Sequence, residues 1–319
     1  MENTEKKINR SFFKTATLVV GACLLCYVAF VWNRVRDEYR TWKESLNVIS
    51  EMQYKHLSDW EQNIKFDVEK MSSDSSFNKY VNEVVNGDLR HQRKILYPLN
   101  LTKSDSQYID FVVVDNELNL IVETTKGRVN EVRGLFETDV ADSRFDLIHG
   151  DDSACPTKVA YIKSVEWNND TAGDVVVLID PYVDLFTIVN SVPTNQMKIS
   201  SYLCSVIDNA VLDIVPYEIE YCDTSQECQS CILNGIVNVN NGNPCSDICT
   251  YVCGGKKSIA KIMQMPLSKW LIVNKVKVED VCNSFTDSLL LGFIIIGVIA
   301  ILVLLFFIIF IINSHFNSS

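Results

Sequence analysis

Between Tyr108 and Thr124 the chain reads YIDFVVVDNELNLIVET, two apolar runs hinged on the polar pair Asp115-Asn116. A shorter echo, YLCSVIDNAVLDIVPY, spans Tyr202–Tyr217 and hinges on Asp208-Asn209. Aligned on the Asp, both copies place Ile-Val at the same offset, Ile121-Val122 and Ile214-Val215. β-Branched runs bounded by Asp and Asn predict strands joined by a tight turn. Each hairpin is followed by an insert and two further apolar runs. These are KVAYIKSVEW and DVVVLIDPYVDLFTIV in the first copy, SIAKIMQM and KWLIVNKVKVEDVCNSF in the second. The repeated order predicts a duplicated antiparallel domain.

Upstream the period changes from two to about 3.6. Val35, Tyr39, Trp42, Leu46 and Ile49 alternate steps of four and three, and the stripe then shifts to Leu57, Trp60, Ile64, Val68 and Met71. This predicts a long stalk helix over 33–76, packed on its own domain or on a second copy. SSDSS at 72–76 marks its break, 78–97 is again helical, and Pro98 is expected to close that piece.

Two uncharged apolar runs flank everything else. Thr15–Trp32 is near the minimum length for spanning a bilayer, and Leu289–Ile312 exceeds it. The first run ends in Phe30-Val31-Trp32 without a small-residue cleavage site, which favours an anchor over a cleaved signal peptide. Val20-Gly21-Ala22-Cys23 loosely matches a lipoprotein box, but the run continues beyond Cys23. A polar end follows the second run, unlike most cleaved lipid-anchor signals. The expected layout is a cytoplasmic tail 1–14, a span 15–32, the stalk 33–76, a membrane-distal unit 77–192 and a membrane-proximal unit 193–287. A second span 288–312 and a tail 313–319 complete it.

Basic residues flank the first span on both sides, so flanking charge does not orient it. Cysteine does. Nine of the 11 Cys lie between the spans, and six of them, Cys222, Cys228, Cys231, Cys245, Cys249 and Cys253, crowd the insert 218–257 of the second copy. That usage suits an oxidising compartment and predicts disulfides there. Cys228-x2-Cys231 and Cys245-x3-Cys249 also resemble zinc ligand pairs, the alternative reading. Cys155, Cys204 and Cys282 make the number odd, leaving one thiol free or bridging two chains. Asn100-Leu101-Thr102 and Asn169-Asp170-Thr171 are N-glycosylation sequons in loop-like contexts. The domain between the spans is therefore expected outside the cell, at the plasma membrane.

The plan resembles the double Cache ectodomains, extracytoplasmic PAS-like sensors of chemoreceptors and histidine kinases. The resemblance covers about 33–287 and rests on FVVVDNELNLIV, CSVIDNAVLDIV and PLSKWLIVNKVKVEDV in that order. It implies an α+β fold of two tandem five-stranded antiparallel units on a long N-terminal helix, flanked by two transmembrane helices. It also implies a small-molecule ligand in the distal unit. Amino-acid-binding members carry an Arg followed by two aromatics on a pocket loop, and an Asp on a later strand. Here VADSRFDLIHG offers Arg144 without the aromatic pair, and VVVLID offers Asp180. A guanidinium grips a carboxylate and a carboxylate holds an ammonium, which is the implied role of each. The bland readings are a surface arginine and a cap on a helix opening at Pro181. The strand pair 110–124 would form one pocket wall, with 134–149 covering it.

Net charge is −11, which excludes a phosphate-binding basic face and so a nucleic-acid role. The four His, at 56, 91, 149 and 315, stand in no metalloprotease pattern, and no GxSxG, P-loop or GxGxxG occurs. No enzyme activity, cofactor or metal site is expected. The partners expected are a small-molecule ligand, membrane lipid, a signalling protein that supplies the output, and a second copy through the stalk. An escort subunit of a membrane pump and a two-span ligand-gated channel share the two-span plan. The internal duplication favours the sensor.

Overall fold

The computed structural model describes residues 2–103, 107–136, 143–149, 156–191, 199–207, 210–215, 249–253, 256–279 and short stretches between 290 and 309. The chain divides into two compact units, Leu46–Val276 and the terminal pair Met1–Ser45 with Lys277–Ser319. Helix α1, Glu2–Ser72, contributes to both.

In the terminal unit, residues 292–299 are helical. The rings of Tyr27 and Phe293 lie 5.6 Å apart. A Cβ at Gly292 would fall 2.3 Å from the Tyr27 ring, so this approach needs a glycine. Among the described residues, no helix is long and apolar enough to cross a membrane.

The central unit holds two five-stranded sheets. The first runs β2-β1-β5-β4-β3, from β1 (Tyr108–Val114), β2 (Leu120–Glu123), β3 (Ser143–His149), β4 (Pro156–Trp167) and β5 (Asp170–Ile179). The second runs β7-β6-β10-β9-β8, from β6 (Ile199–Ile207), β7 (Ala210–Val215), β8 (Cys249–Cys253), β9 (Lys256–Gln264) and β10 (Leu271–Lys277). The two orders are the same order, so the duplication read from the hairpins extends to whole sheets. β3 and β8 are strands that the pattern left inside inserts.

Asp115 makes the first hairpin. Its carboxylate accepts from the backbone N–H of Glu117 (2.9 Å) and Asn119 (2.8 Å), an Asx turn that reverses the chain. Asp208-Asn209 lie outside the described residues.

The α1 stripe Leu57, Trp60, Ile64, Val68 and Met71 is buried throughout, against its own domain. Each such side chain contributes about 1.5–3 kcal/mol relative to exposure. Val35 and Tyr39 are instead 40% exposed. Helix α2 (Ser75–Val85) is capped by Asp74, whose carboxylate accepts from Ser76 N–H at 2.8 Å. Helix α3 (Gln92–Lys103) contains Pro98 and runs past it, contrary to the expected stop. Ile95 and Leu99, one turn apart around the proline, are both fully buried, and that burial outweighs the lost backbone hydrogen bond. Asn100 therefore sits exposed on a helix, not in a loop, while Asn169 lies at the β4–β5 hairpin tip with φ 69°.

One core joins both sheets to α1. Phe145 on β3 packs 5.7 Å from Trp60 of α1 and 5.7 Å from Trp270, next to β10. Glu61 is buried beside them, and its carboxylate accepts from Leu267 N–H (3.1 Å) and Ser268 N–H (3.0 Å). Burial raises the Glu61 carboxyl above its ordinary value, and the Ser268 and Leu267 hydrogen bonds only partly offset this.

Candidate functional site

The strands of the first sheet alternate side chains between two faces. One face packs on α1, α2 and α3. On the other, the antiparallel registers set side chains in rows. Arg144, Ile162, Val176 and Val112 form one row. Asp146, Ala160, Leu178 and Asp110 form the next. Ser164, Asp174 and Val114 form a third. The centre of this face is aliphatic and its margins are charged.

A strap covers it. Helix α4 (Val129–Arg133) and the 3-10 turn Gly134–Phe136 lay Val132 and Leu135, both buried, on Val112, Ile162, Val176 and Leu178. The expected cover was 134–149. Residues 143–149 are instead β3 itself, because Phe145 and Leu147 alternate into the α1-side core and so demand an extended chain. Arg144 is thus on a strand rather than on a loop.

The strap is tied at its start by ions. The Glu123 carboxylate accepts from Gly127 N–H (2.7 Å) and Arg128 N–H (2.9 Å), with Gly127 at φ 93°, where a side chain would be strained. Arg128 donates to Glu131 at 2.7 Å, and Lys158 on β4 donates to the other Glu131 oxygen. Burial pushes the Glu131 carboxyl up, but Lys158 and Arg128 together outweigh it and hold it below its ordinary value. Asp110, fully buried on β1, draws four segments together. It accepts from Phe111 N–H (3.0 Å), from the Thr124 hydroxyl and from Lys103 Nζ (3.4 Å). Arg128 Nε lies 3.6 Å from its second oxygen.

At its other end the strap is tied by Arg144, which donates to the Leu135 carbonyl and lies 3.6 Å from the Asp146 carboxylate. Asp174, 7% exposed, accepts from the Ser164 hydroxyl at 2.7 Å. Burial raises the Asp174 carboxyl, and the Ser164 hydrogen bond and Arg144 charge pull it only partway back.

Asp180 follows β5 directly. Its carboxylate accepts from Tyr182 N–H at 2.8 Å, which closes a turn. The helix expected to open at Pro181 begins later, as α5 (Leu185–Asn190). Arg144 shares its row with Val176, four residues short of Asp180 and two strands away. That is about 13 Å along the strand and about 10 Å across it. The two side chains are not brought together.

Of the six insert cysteines, Cys222, Cys228, Cys231 and Cys245 lie outside the described residues. Cys249 and Cys253 end the single strand β8, opposite Ala260 and Lys256. Their Cα atoms are about 13 Å apart along an extended chain, too far to bridge each other. Among the described residues no group of His, Cys, Asp or Glu is placed to hold a metal ion. Sequence reasoning passed over Asp110, although a lone Asp inside YIDFVVV was a visible signal of a buried charge in need of partners.

No protein-family model matches the chain, and no curated protein matches it in sequence. Solved structures do match its fold. The ligand-binding domain of the Campylobacter jejuni chemoreceptor Tlp3 in complex with L-norvaline is 10% identical, with a TM-score of 0.52. The alignment covers 77% of this chain and 94% of that one. The ligand-binding domain of the Pseudomonas fluorescens chemoreceptor CtaA in complex with L-isoleucine is 13% identical, with a TM-score of 0.50, over 79% of this chain and 98% of that one. The sensory domain of the Campylobacter jejuni chemoreceptor Tlp3 (CcmL) is 11% identical, with a TM-score of 0.50, over 77% of this chain and 98% of that one. The fold is that of chemoreceptor sensory domains.

Proposed function

We propose that the protein is a membrane-anchored extracellular sensor that binds a small molecule on the strap-covered face of its first sheet and passes occupancy across the membrane. The observation that carries this reading is the strap itself. It is a short segment over an aliphatic sheet face, held by ion pairs at one end and by Arg144 at the other, in a fold shared with ligand-binding domains. Those ties are polar contacts a ligand can compete for, whereas a purely apolar cover offers none. Arg144 is the residue for an anionic ligand group and Asp180 for a cationic one. Their separation means that the two charges of an α-amino acid, one carbon apart, cannot engage both side chains at once. The ligand is therefore either longer than an amino acid or held by one of the two.

Two uncharged apolar segments, 15–32 and 288–312, support anchoring by two spans, and the Tyr27–Phe293 contact supports their lying side by side. Nine cysteines and two sequons support an outside location for the domain between them, with disulfides in 218–257. A signalling partner supplies the output, and a second copy joins through the stalk. The occupied and empty states must differ in ligand affinity for any signal to pass, typically by about 1–3 kcal/mol.

A thermal-shift and calorimetric screen of small carboxylates, amines and amino acids on the full chain in nanodiscs tests the site. Arg144→Ala should weaken an anionic hit, or Asp180→Ala a cationic one, by about tenfold or more. If both variants bind every hit as the parent does, the site assignment is wrong. Glycosidase digestion of the protein made in a secretory eukaryotic cell tests topology. A mobility shift lost mainly with Asn169→Gln is expected, since Asn169 is at an open hairpin tip and Asn100 on a helix. No shift, with every cysteine alkylated before reduction, would place the domain in the cytosol.

A further inference from the structure

On the α1 side of the first sheet, away from the strap, an open cleft of about 680 Å³ separates the end of α1 from β4. Its walls are Phe66, Glu69 and Lys70 of α1, Asn78 of α2, and Lys163 and Glu166 of β4. That volume is in the range of small-molecule sites. Phe66 is 65% exposed, although its α1 neighbours Ile64 and Val68 are fully buried. An aromatic ring therefore faces solvent from a stretch of α1 whose stripe Leu57–Met71 is buried. Among the described residues Lys70, Lys163 and Glu166 form no ion pair, and the ion pair of Glu69 is with Lys65 of its own helix, at 3.7 Å. The floor is built rather than incidental. Asn78 Nδ2 donates to the Ser72 carbonyl (2.7 Å) and the Glu166 carbonyl (3.0 Å), tying α1, α2 and β4 together. Two accepting carbonyls fix which way the amide points, and leave Oδ1 as a buried acceptor without a partner among the described residues.

We propose that this cleft is a second small-molecule site, taking a compact zwitterion with a planar aromatic body. Lys70 and Lys163 present two ammonium groups to its anionic end. Glu69 and Glu166 present carboxylates to its cationic end, and Phe66 offers a ring face for stacking. Each exposed charge contact is weak alone, so recognition needs all three features at once. The site would touch α1 and the sheet together, so its occupant ties the helix to β4 independently of whatever the strap covers.

L-phenylalanine is the probe, with phenylacetate and phenethylamine as its single-charge counterparts, titrated calorimetrically into the full chain in nanodiscs. L-phenylalanine should bind, and each counterpart should bind about tenfold more weakly or worse. Phe66→Ala at an exposed position and Lys163→Gln at a half-buried one should each weaken it by about tenfold with the melting temperature unchanged. Hydrogen exchange should slow in 66–78 and 163–166. Absence of binding, equal binding of all three probes, or indifference to Phe66→Ala would overturn the proposal. Protection confined to 129–136 would also overturn it while leaving the strap-covered site standing. Failure of every ligand at the strap would leave the cleft result untouched.

Discussion

On the α1 side of the first sheet, β4 and β5 present Val159, Tyr161, Val175 and Val177. One residue out of step, on the strap side, the same strands present Ala160, Ile162, Val176 and Leu178. Both sets are buried, yet their covers differ. The first is covered by three helices and shares its core with the second sheet through Phe145 and Trp270. The second is covered by eight residues, Val129–Phe136, held by charges at the margins. Burial alone therefore does not distinguish the two faces. What separates them is how the cover is attached: by large apolar area on one side, by a few competable polar contacts on the other.

Substitution of the two covers should break or sharpen this contrast. Phe145→Ala removes a ring shared by α1, β4 and the second sheet's turn, and should cost about 3–5 kcal/mol in denaturant unfolding. Leu135→Ala on the strap should cost about 2 kcal/mol, since a short segment can settle into the gap. Equal costs would mean that the strap is core, and the distinction between the faces would fail. Asp110→Ala should come between them, at about 2–3 kcal/mol. It takes the Asp110 carboxylate from Lys103 and Arg128, but Arg128 keeps Glu131 and both side chains keep partial access to water. It should also speed hydrogen exchange across 124–133, which Phe145→Ala at matched stability should not.

The smallest effects are in pH, and their signs are opposite. Asp174 has a folded-state value above its ordinary 3.8, so its ionised form costs stability. The parent gains stability as pH falls through that raised value toward 3.8, and Asp174→Asn should remove the gain. Glu131 is held below its ordinary 4.5, despite burial, by Lys158 and Arg128. Its contribution is present above 4.5 and is lost as pH falls through the lowered value, so Glu131→Gln should flatten the acid limb. Unfolding midpoints followed from about pH 7 to about pH 3 would separate the two. The same slope for both variants would contradict the arrangement of charges on this face.

The paired hairpins were legible, and so was the α1 stripe from Leu57 to Met71, because each is a local pattern of period 2 or 3.6. The echo carried less than it promised. Val122 pairs with Val113, two residues before Asp115, whereas Val215 pairs with Leu203, five before Asp208. Matching sequence at the hinge thus did not carry matching register. β3 was hidden inside SRFDLIH because its alternation is short and mixed with charge, and Pro98 misled because a local rule yielded to burial of Ile95 and Leu99.

By itself the sequence determined the strand runs, the helix face that packs and the absence of enzyme motifs, all of which depend on neighbours a few residues apart. Only the tertiary structure decided the order β2-β1-β5-β4-β3, the place of Arg144 on an edge strand and its distance from Asp180. It alone decided that Asp110 is a buried hub. A charge can be buried only where partners offset its desolvation, and those partners come from positions 103, 124 and 128, on three other segments of the chain. No periodicity records which distant segments will meet.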